Sequence, residues 1–239
     1  MRTALGPVSV GALIEDELEL EPDIDETDVD RAVAAWTLVL SAIPTIVPLL
    51  AEAVKNGIPK QRIERIARML KFLENQVSGL QEDVLAHRMS TEEFLDLLED
   101  GLWQTTSALT EERLAHIASL LRNSIKSDDL AYEQEKMLLS LLGQLNDPGL
   151  ILLGWYGTNM VGERANAYYA RHEDIVGPTI RESLMSEEEE RNITFRETYR
   201  ATLQRLRLIG PDQRGSDLIT PLGRLLLEQI DFYEQEPTE

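Results

Sequence analysis

Cysteine is absent from the 239-residue chain, and histidine is scarce, with three residues in all. The lack of cysteine excludes disulfides, thiolate metal sites and cysteine nucleophiles, and it favours a reducing, cytoplasmic location. The histidines, His87, His116 and His172, are scattered along the sequence. Glu112 and His116 have the i,i+4 spacing of a metal-binding pair, but no second pair accompanies them. We therefore predict no metal site and no cofactor.

Catalytic motifs are lacking as well. The sequence contains no H-E-x-x-H, no P-loop and no G-x-S-x-G. Gly154, Gly157 and Gly162 are not followed by the strand–helix–strand pattern of a nucleotide-binding fold. We predict no catalytic residue and expect that the protein is not an enzyme.

Positive charge is in short supply, because 23 lysines and arginines face 43 acidic residues and leave a net charge of −20. Such an excess disfavours a surface that grips nucleic acid or anionic membrane over its whole area. The acids are concentrated at the start, where residues 1–30 hold ten acids and one base, Arg2. We predict an acidic, loosely ordered arm over residues 1–27. Its apolar run is too short and too broken by glycine and proline for a signal peptide.

Aromatic residues make up 5% of the chain, whereas leucine, alanine, glutamate and arginine are abundant, which favours helices over strands. We predict an all-α fold. An antiparallel helical bundle occupies residues 28–156, a connector follows over residues 157–177, and a winged-helix-like helical module with at most two short strands occupies residues 178–239.

Several helix starts are indicated by a capping residue followed by proline or glutamate. The predicted caps are Ser90 with Glu93, Asp147 before Pro148, and Thr220 before Pro221. Ser186 with Glu189 fits either a further cap or a charged turn.

Residues 32–51 form a stretch of twenty residues without a charge. Its length fits a membrane span, and it also fits a helical hairpin buried in a bundle or an oligomer interface. Pro44 and Pro48 predict a bend or break in the helix. Asp28 and Asp30 precede the stretch and no basic cluster flanks it, so we favour a buried position over membrane insertion.

A seam of apolar residues follows, with the 3-4-3-4-3-4 spacing of a helix that packs on one partner. Its members are Ile63, Ile66, Leu70, Leu73, Val77, Leu80 and Val84. Because this spacing continues for three heptads, we predict that the seam mediates self-association.

Residues 194–230 differ from the rest of the chain. A helix is followed by Leu208-Ile209, a polar turn, Leu218-Ile219 and a final helix, an order that resembles winged-helix regulators. The segment is locally basic. If it reads DNA, we expect contacts from Arg196, Arg200 and Arg214. The alternative is that the module serves protein contacts and that its arginines pair with neighbouring acids.

Several stretches resemble a broad group of uncharacterised bacterial helical proteins, some of them similar to abortive-infection alpha-type phage-defence proteins. The stretches are IPKQRIERI (residues 58–66), LEDGLWQTTSALTEERLAHIASLL (98–121), LLSLLGQLNDPGLILL (138–153) and the T-x-L-G of residues 220–223. The resemblance covers residues 32–230 and leaves out the acidic arm. It implies a helical architecture and a bacterial defence or stress setting. Its motifs are caps and packing positions, so no catalytic residue is carried over.

The function that these features favour is that of a non-enzymatic bacterial interaction or effector protein, cytoplasmic and self-associating, with a protein or a second copy as partner. A DNA-binding winged-helix regulator is the first alternative. A membrane-acting effector that inserts residues 32–51 is the second.

Overall fold

A computed structural model describes residues 60–77, 80, 87–126, 130–158, 162–177, 186–213 and 215–233. The predicted acidic arm and the uncharged stretch 32–51 lie outside these residues. The described residues are mostly helical, and the strands among them are two short antiparallel ones. This composition confirms the predicted all-α class.

The chain divides into two compact units, Met1–Leu139 and Ser140–Glu239. The described elements of the first unit are α1 (Lys60–Val77), α2 (Glu92–Thr105), α3 (Glu111–Lys126) and most of α4 (Tyr132–Gln144). The second unit holds α5 (Asp147–Gly157), α6 (Glu163–Arg171), α7 (Glu173–Val176), α8 (Glu187–Arg205), β1 (Ile209–Pro211), β2 (Asp217–Ile219) and α9 (Pro221–Gln229).

The core of the first unit is built around α3, which packs against both α1 and α2. Four apolar side chains recur along α3 at helical spacing, and each is at most 1% exposed: Leu114, Ile117, Leu121 and Ile125. Since α1 is amphipathic, it contributes one apolar stripe and keeps its charged side toward water. Helix therefore packs on helix in the described part of the first unit.

The second unit is built around α5, which contacts α6, α7, α8, α9 and β2. Its sequence, DPGLILLGWYG, is apolar on all sides, so it has to be surrounded by other elements. The sequence prediction assigned this helix to the bundle that ends at residue 156. The division of the structure instead assigns it to the unit that contains the C-terminal helices.

Residues 157–177, predicted as a connector, contain the helices α6 and α7. Ala165 and Tyr168 lie one turn apart on α6 and are buried, and Val176 of α7 is buried too. This short apolar stripe on an otherwise polar segment gives the region its own packed face.

The two strands form a hairpin in which Ile209 pairs with Ile219 and Pro211 with Asp217. Its turn is closed by the Asp212 carboxylate, which accepts a hydrogen bond from the backbone amide of Ser216 at 2.8 Å. Gly215 adopts a φ of 79°, which favours glycine. The predicted strands at 208–209 and 218–219 thus coincide with the observed hairpin to within one or two residues.

Of the three predicted caps, one is confirmed and two are displaced by one residue, and Ser186, for which a cap and a charged turn were both open, is a cap. Thr220 caps α9, and Ser186 with Glu189 forms a complete capping box on α8. At α2 and α5 the capping residues are Thr91 and Asn146, each a direct neighbour of the predicted residue. In each case the predicted residue and its neighbour are both of a type that caps helices, and the local sequence does not determine which of the two is the cap.

Candidate functional site

Arg196, a predicted DNA contact, is bound to the end of a neighbouring helix. Its Nε donates to the carbonyl oxygen of Asp174 at 2.8 Å, and its Nη2 donates to that of Glu173 at 2.9 Å. A β-carbon at Gly177 would come within 2.9 Å of the Arg196 guanidinium. The side chain thus satisfies carbonyls of α7 and ties this helix to α8.

Arg200, the second predicted contact, is paired with a buried carboxylate. Its Nε donates to Oδ2 of Asp217, and Nε2 of Gln204 donates to the same oxygen at 2.8 Å. The side chain of Asp217 is 3% exposed and that of Arg200 is 42% exposed. The hydrogen bond to Asp217 is the main cause that raises the pKa of Arg200 above its ordinary value. This pair holds the hairpin against α8.

The structure thus places Arg196 and Arg200 on one helix but engages them with different intramolecular partners. Arg214 lies outside the described residues. Arg205 and Arg207, at the C-terminal end of α8 and just beyond it, have exposed side chains. They were not among the predicted DNA contacts, although they directly precede the predicted Leu208-Ile209 strand.

The N-terminal end of α8 is strongly acidic. Glu187, Glu188, Glu189 and Glu190 occupy its first turn and are all exposed. Acids at this end stabilise the helix dipole. The hydrogen bond from the backbone amide of Ser186 lowers the pKa of Glu189, so it stays ionised as part of the capping box. The first turn of α8 therefore presents negative charge to solvent.

The predicted oligomer seam is largely buried inside one chain. Ile66, Leu70, Leu73 and Val77 are 5% exposed or less, and α1 packs against α3. Leu80 is half-buried, whereas Val84 and the side chain of Ile63 lie outside the described part of the chain. The four buried members pack inside the core of one chain, so their side chains are not accessible to a second chain.

A polar cluster on the first unit links α2 to α4. The Tyr132 hydroxyl and Lys136 Nζ both donate to Oδ2 of Asp96, and Nζ lies 3.5 Å from Oδ2 of Asp100. These bonds lower the pKa of Asp96, with Lys136 as the larger cause, and the bond to Asp96 raises the pKa of Tyr132. Because a raised pKa keeps the phenol protonated, the Tyr132 hydroxyl remains a hydrogen-bond donor to Asp96. The cluster acts as a tether between two helices.

Several aromatic side chains of the second unit gather beside α5. The rings of Tyr168 and His172 lie 4.7 Å apart, and those of Tyr168 and Phe232 lie 6.4 Å apart. The Tyr168 and Tyr233 hydroxyls donate to the carbonyl oxygens of Ile151 and Gly154, each at 2.7 Å. A β-carbon at Gly154 would overlap Phe232 and lie 2.6 Å from the Tyr168 hydroxyl. The glycine thus admits the aromatic rings.

His172 supplies a pH-dependent contribution to stability. Burial lowers its pKa from the ordinary 6.5, Arg171 lowers it further, and Asp174 opposes the shift. The contribution is therefore complete above pH 6.5 and is lost as the pH falls below that value toward the lowered native pKa. We expect urea unfolding to show lower stability at about pH 5.5 than at about pH 7.5, with a smaller loss in His172→Gln. Equal losses in both proteins would show that His172 is not responsible.

The described residues contain no group of three or more histidine, aspartate or glutamate side chains able to hold a metal ion. His116 is buried in α3, whereas Glu112, one turn before it, is exposed. A groove of about 510 Å³ beside α9 is lined by apolar side chains, including Leu227 and Phe232, and by charges of both signs, including Arg224 and Glu228. This lining does not indicate a particular reaction.

Within the described ranges, no single helix is long and apolar enough to cross a membrane. Among the helices of those ranges, α4 and α5, taken together as a bent pair, reach the length and composition of a span. Residues 32–51, for which membrane insertion was an alternative, fall outside the described ranges.

The chain matches no protein-family model, no curated protein and no solved structure.

Proposed function

We propose that the protein is a non-enzymatic interaction protein whose C-terminal module, residues 186–233, is winged-helix-like and contacts protein and not DNA. The order of α8, the hairpin and α9 supports the winged-helix likeness. The lack of cysteine favours a cytoplasmic location. The resemblance to uncharacterised bacterial helical proteins, some of them similar to abortive-infection alpha-type phage-defence proteins, favours a bacterial defence or stress setting for this interaction.

The observation that carries the proposal is the engagement of both described candidate arginines. A phosphate or base contact would require Arg196 to leave two backbone carbonyls, or Arg200 to leave the buried carboxylate of Asp217. Releasing Arg200 would leave a charge buried without its partner, which is costly. The two side chains are thus better explained as internal supports of the module.

The charge of α8 supports the same conclusion. Recognition helices of helix-turn-helix proteins contact base edges through their N-terminal residues. In this chain those positions hold Glu187, Glu188, Glu189 and Glu190, which would repel phosphate. Two apolar side chains of the module, Phe195 and Leu218, are instead half exposed, at 51% and 52%. Exposed large apolar side chains are suited to protein contacts.

A DNA-binding regulator remains the second candidate, favoured by the exposed Arg205 and Arg207 at the end of α8 nearest the hairpin. A mobility-shift assay with duplex DNA at low ionic strength separates the two, because low salt maximises phosphate binding. We expect no shift with the wild-type protein. A shift that disappears in Arg205→Glu/Arg207→Glu would overturn the protein-contact proposal. Arg200 is unsuitable for this test, since its reversal to glutamate would place a like charge against Asp217.

A further inference from the structure

One side of α8 carries an uncharged, partly exposed stripe made of Phe195, Thr198, Tyr199, Thr202 and Leu206, called here the α8 stripe. Phe195, Tyr199, Thr202 and Leu206 are spaced 4-3-4 and therefore follow one side of the helix. The Phe195 and Tyr199 rings lie nearly parallel, with centroids 6.3 Å apart. Phe195 is 51% exposed, and Tyr199, Thr202 and Leu206 are half-buried. The stripe is thus a continuous, partly apolar surface.

The threonine hydroxyls of this stripe are already satisfied. Oγ1 of Thr198 donates to the Thr194 carbonyl at 2.9 Å, and Oγ1 of Thr202 donates to the Thr198 carbonyl at 3.0 Å. Covering the stripe would therefore leave neither hydroxyl without a hydrogen bond, which removes the usual cost of burying a polar group. These two hydroxyls therefore do not oppose contact with another helix.

The two ends of α8 carry opposite charge. Residues 187–191 hold four glutamates and Arg191, whereas Arg205 and Arg207 lie at and just beyond the other end. All seven side chains are exposed. An antiparallel copy of the same helix would set the glutamates of each chain against Arg205 and Arg207 of the other. A parallel copy would set like charges together, so the pattern selects the antiparallel arrangement.

Phe195 and Tyr199 lie on either side of residue 197, near the middle of α8. In an antiparallel pair centred there, Phe195 of each chain meets Tyr199 of the other, and Glu188 of each chain approaches Arg205 of the other. The helix has 19 residues, so it spans roughly 28 Å at 1.5 Å per residue. At the shallow crossing angle of about 20° seen in helix bundles, the whole stripe remains in contact.

We propose that the α8 stripe pairs antiparallel with the same stripe of a second copy of this chain, across a two-fold axis. This inference rests on the proposed protein-contact function and names its partner. It also moves self-association from the seam of α1 to α8. One helix pair lies at the low end of specific interface sizes, so we expect a dissociation constant in the micromolar range or weaker.

Sedimentation equilibrium of the full chain over a concentration series tests the pairing. Phe195→Ser should weaken dimerisation at least tenfold, because it removes an aromatic side chain from the centre of the contact. Leu218→Ser is the matched control, since Leu218 is equally exposed in the same unit but lies on β2. It should leave the dimer unchanged. Circular dichroism of both variants confirms that each is folded.

A charge exchange supplies a second, independent test. Glu188→Arg and Arg205→Glu should each weaken the dimer at low salt, because each places like charges together across the axis. Glu188→Arg/Arg205→Glu should restore the affinity, since both members of each contact are exchanged. A role of these residues inside one chain predicts no such rescue of dimerisation.

Two results would overturn the inference: a wild-type chain that stays monomeric at all concentrations, or a dimer that is unaffected by Phe195→Ser and by the single charge reversals. Neither result decides the protein-contact proposal, which the DNA-binding assay tests separately. Conversely, DNA binding lost in Arg205→Glu/Arg207→Glu would overturn the proposed function while a dimer sensitive to Phe195→Ser still stood.

Discussion

Gly223→Ala is expected to destabilise the protein by roughly 3 kcal/mol, the upper range for overpacking a closely packed site. The β-carbon of alanine would overlap the carbonyl oxygen of Leu208 and lie 2.9 Å from Cγ1 of Ile219. The Leu208 oxygen is backbone, and it already accepts hydrogen bonds from the Thr220 amide at 3.0 Å and the Thr220 hydroxyl at 3.1 Å. It has no room to move without breaking the cap of α9. The helix itself must therefore shift away from the hairpin.

Urea unfolding followed by circular dichroism measures this effect. Gly210→Ala is the matched control, because Gly210 lies in β1 and a β-carbon there would meet only Cγ2 of Thr220, at an ordinary 3.8 Å. We expect the control to change the free energy of unfolding by no more than about 1 kcal/mol. If both variants unfolded at the same urea concentration, the close approach of α9 to Leu208 would not limit the residue at position 223.

The same glycine shows where sequence reasoning succeeds and where it ends. The chain pattern around Thr220-Pro221 and Gly223 predicted a strand, a cap and a final helix, and those elements are present. Each is specified by neighbouring residues: the Thr220 hydroxyl accepts from the Gly223 amide at 3.1 Å, three residues away. The reason for glycine lies fifteen residues upstream, at the Leu208 carbonyl. A local sequence pattern does not show how closely Gly223 approaches the Leu208 carbonyl.

The α1 seam illustrates a second limit. Its heptad spacing predicted one apolar face, because spacing depends only on the geometry of one helix, and four residues of that face are buried. It does not specify the partner, which in this chain is the equally apolar face of α3. For α5 the sequence does not show which side of the helix packs against other elements. A helix that is apolar on all sides has no periodic signal that marks one face. Its assignment to the bundle followed from chain order alone.

The arginines of α8 illustrate a third limit. The sequence shows the charge of Arg200 but not the group that neutralises it. One signal was present: Asp217 and Ile219 alternate with Leu218, so an inward Ile219 places Asp217 on the same, inward face of the strand. A buried carboxylate next to a helix that carries several arginines predicts a pair. For Arg196 no comparable signal exists, because its acceptors are backbone carbonyls that every residue possesses.

Arg200→Ala is expected to destabilise the protein by about 2 kcal/mol. Removing one partner of a buried ion pair costs roughly 3–5 kcal/mol, and the exposure of Arg200 admits water that reduces this cost. Asp217 keeps the hydrogen bond from Gln204 at 2.8 Å, but its charge loses its cation. Arg205→Ala is the control, since its side chain is exposed on the same helix; it should change stability by about 0.5 kcal/mol at most.

Adding Asp217→Asn to Arg200→Ala should recover part of the loss, because a neutral amide oxygen still accepts from Gln204 and leaves no buried charge. Urea unfolding of the four proteins of this double-mutant cycle measures the coupling between the two residues. A coupling near zero, with Arg200→Ala as mild as Arg205→Ala, would mean that Arg200 leaves Asp217 at little cost. The arginine would then be available to a phosphate, and the protein-contact function would lose its main support. A large coupling means that Arg200 stabilises the packing of the hairpin on α8 through its pair with Asp217.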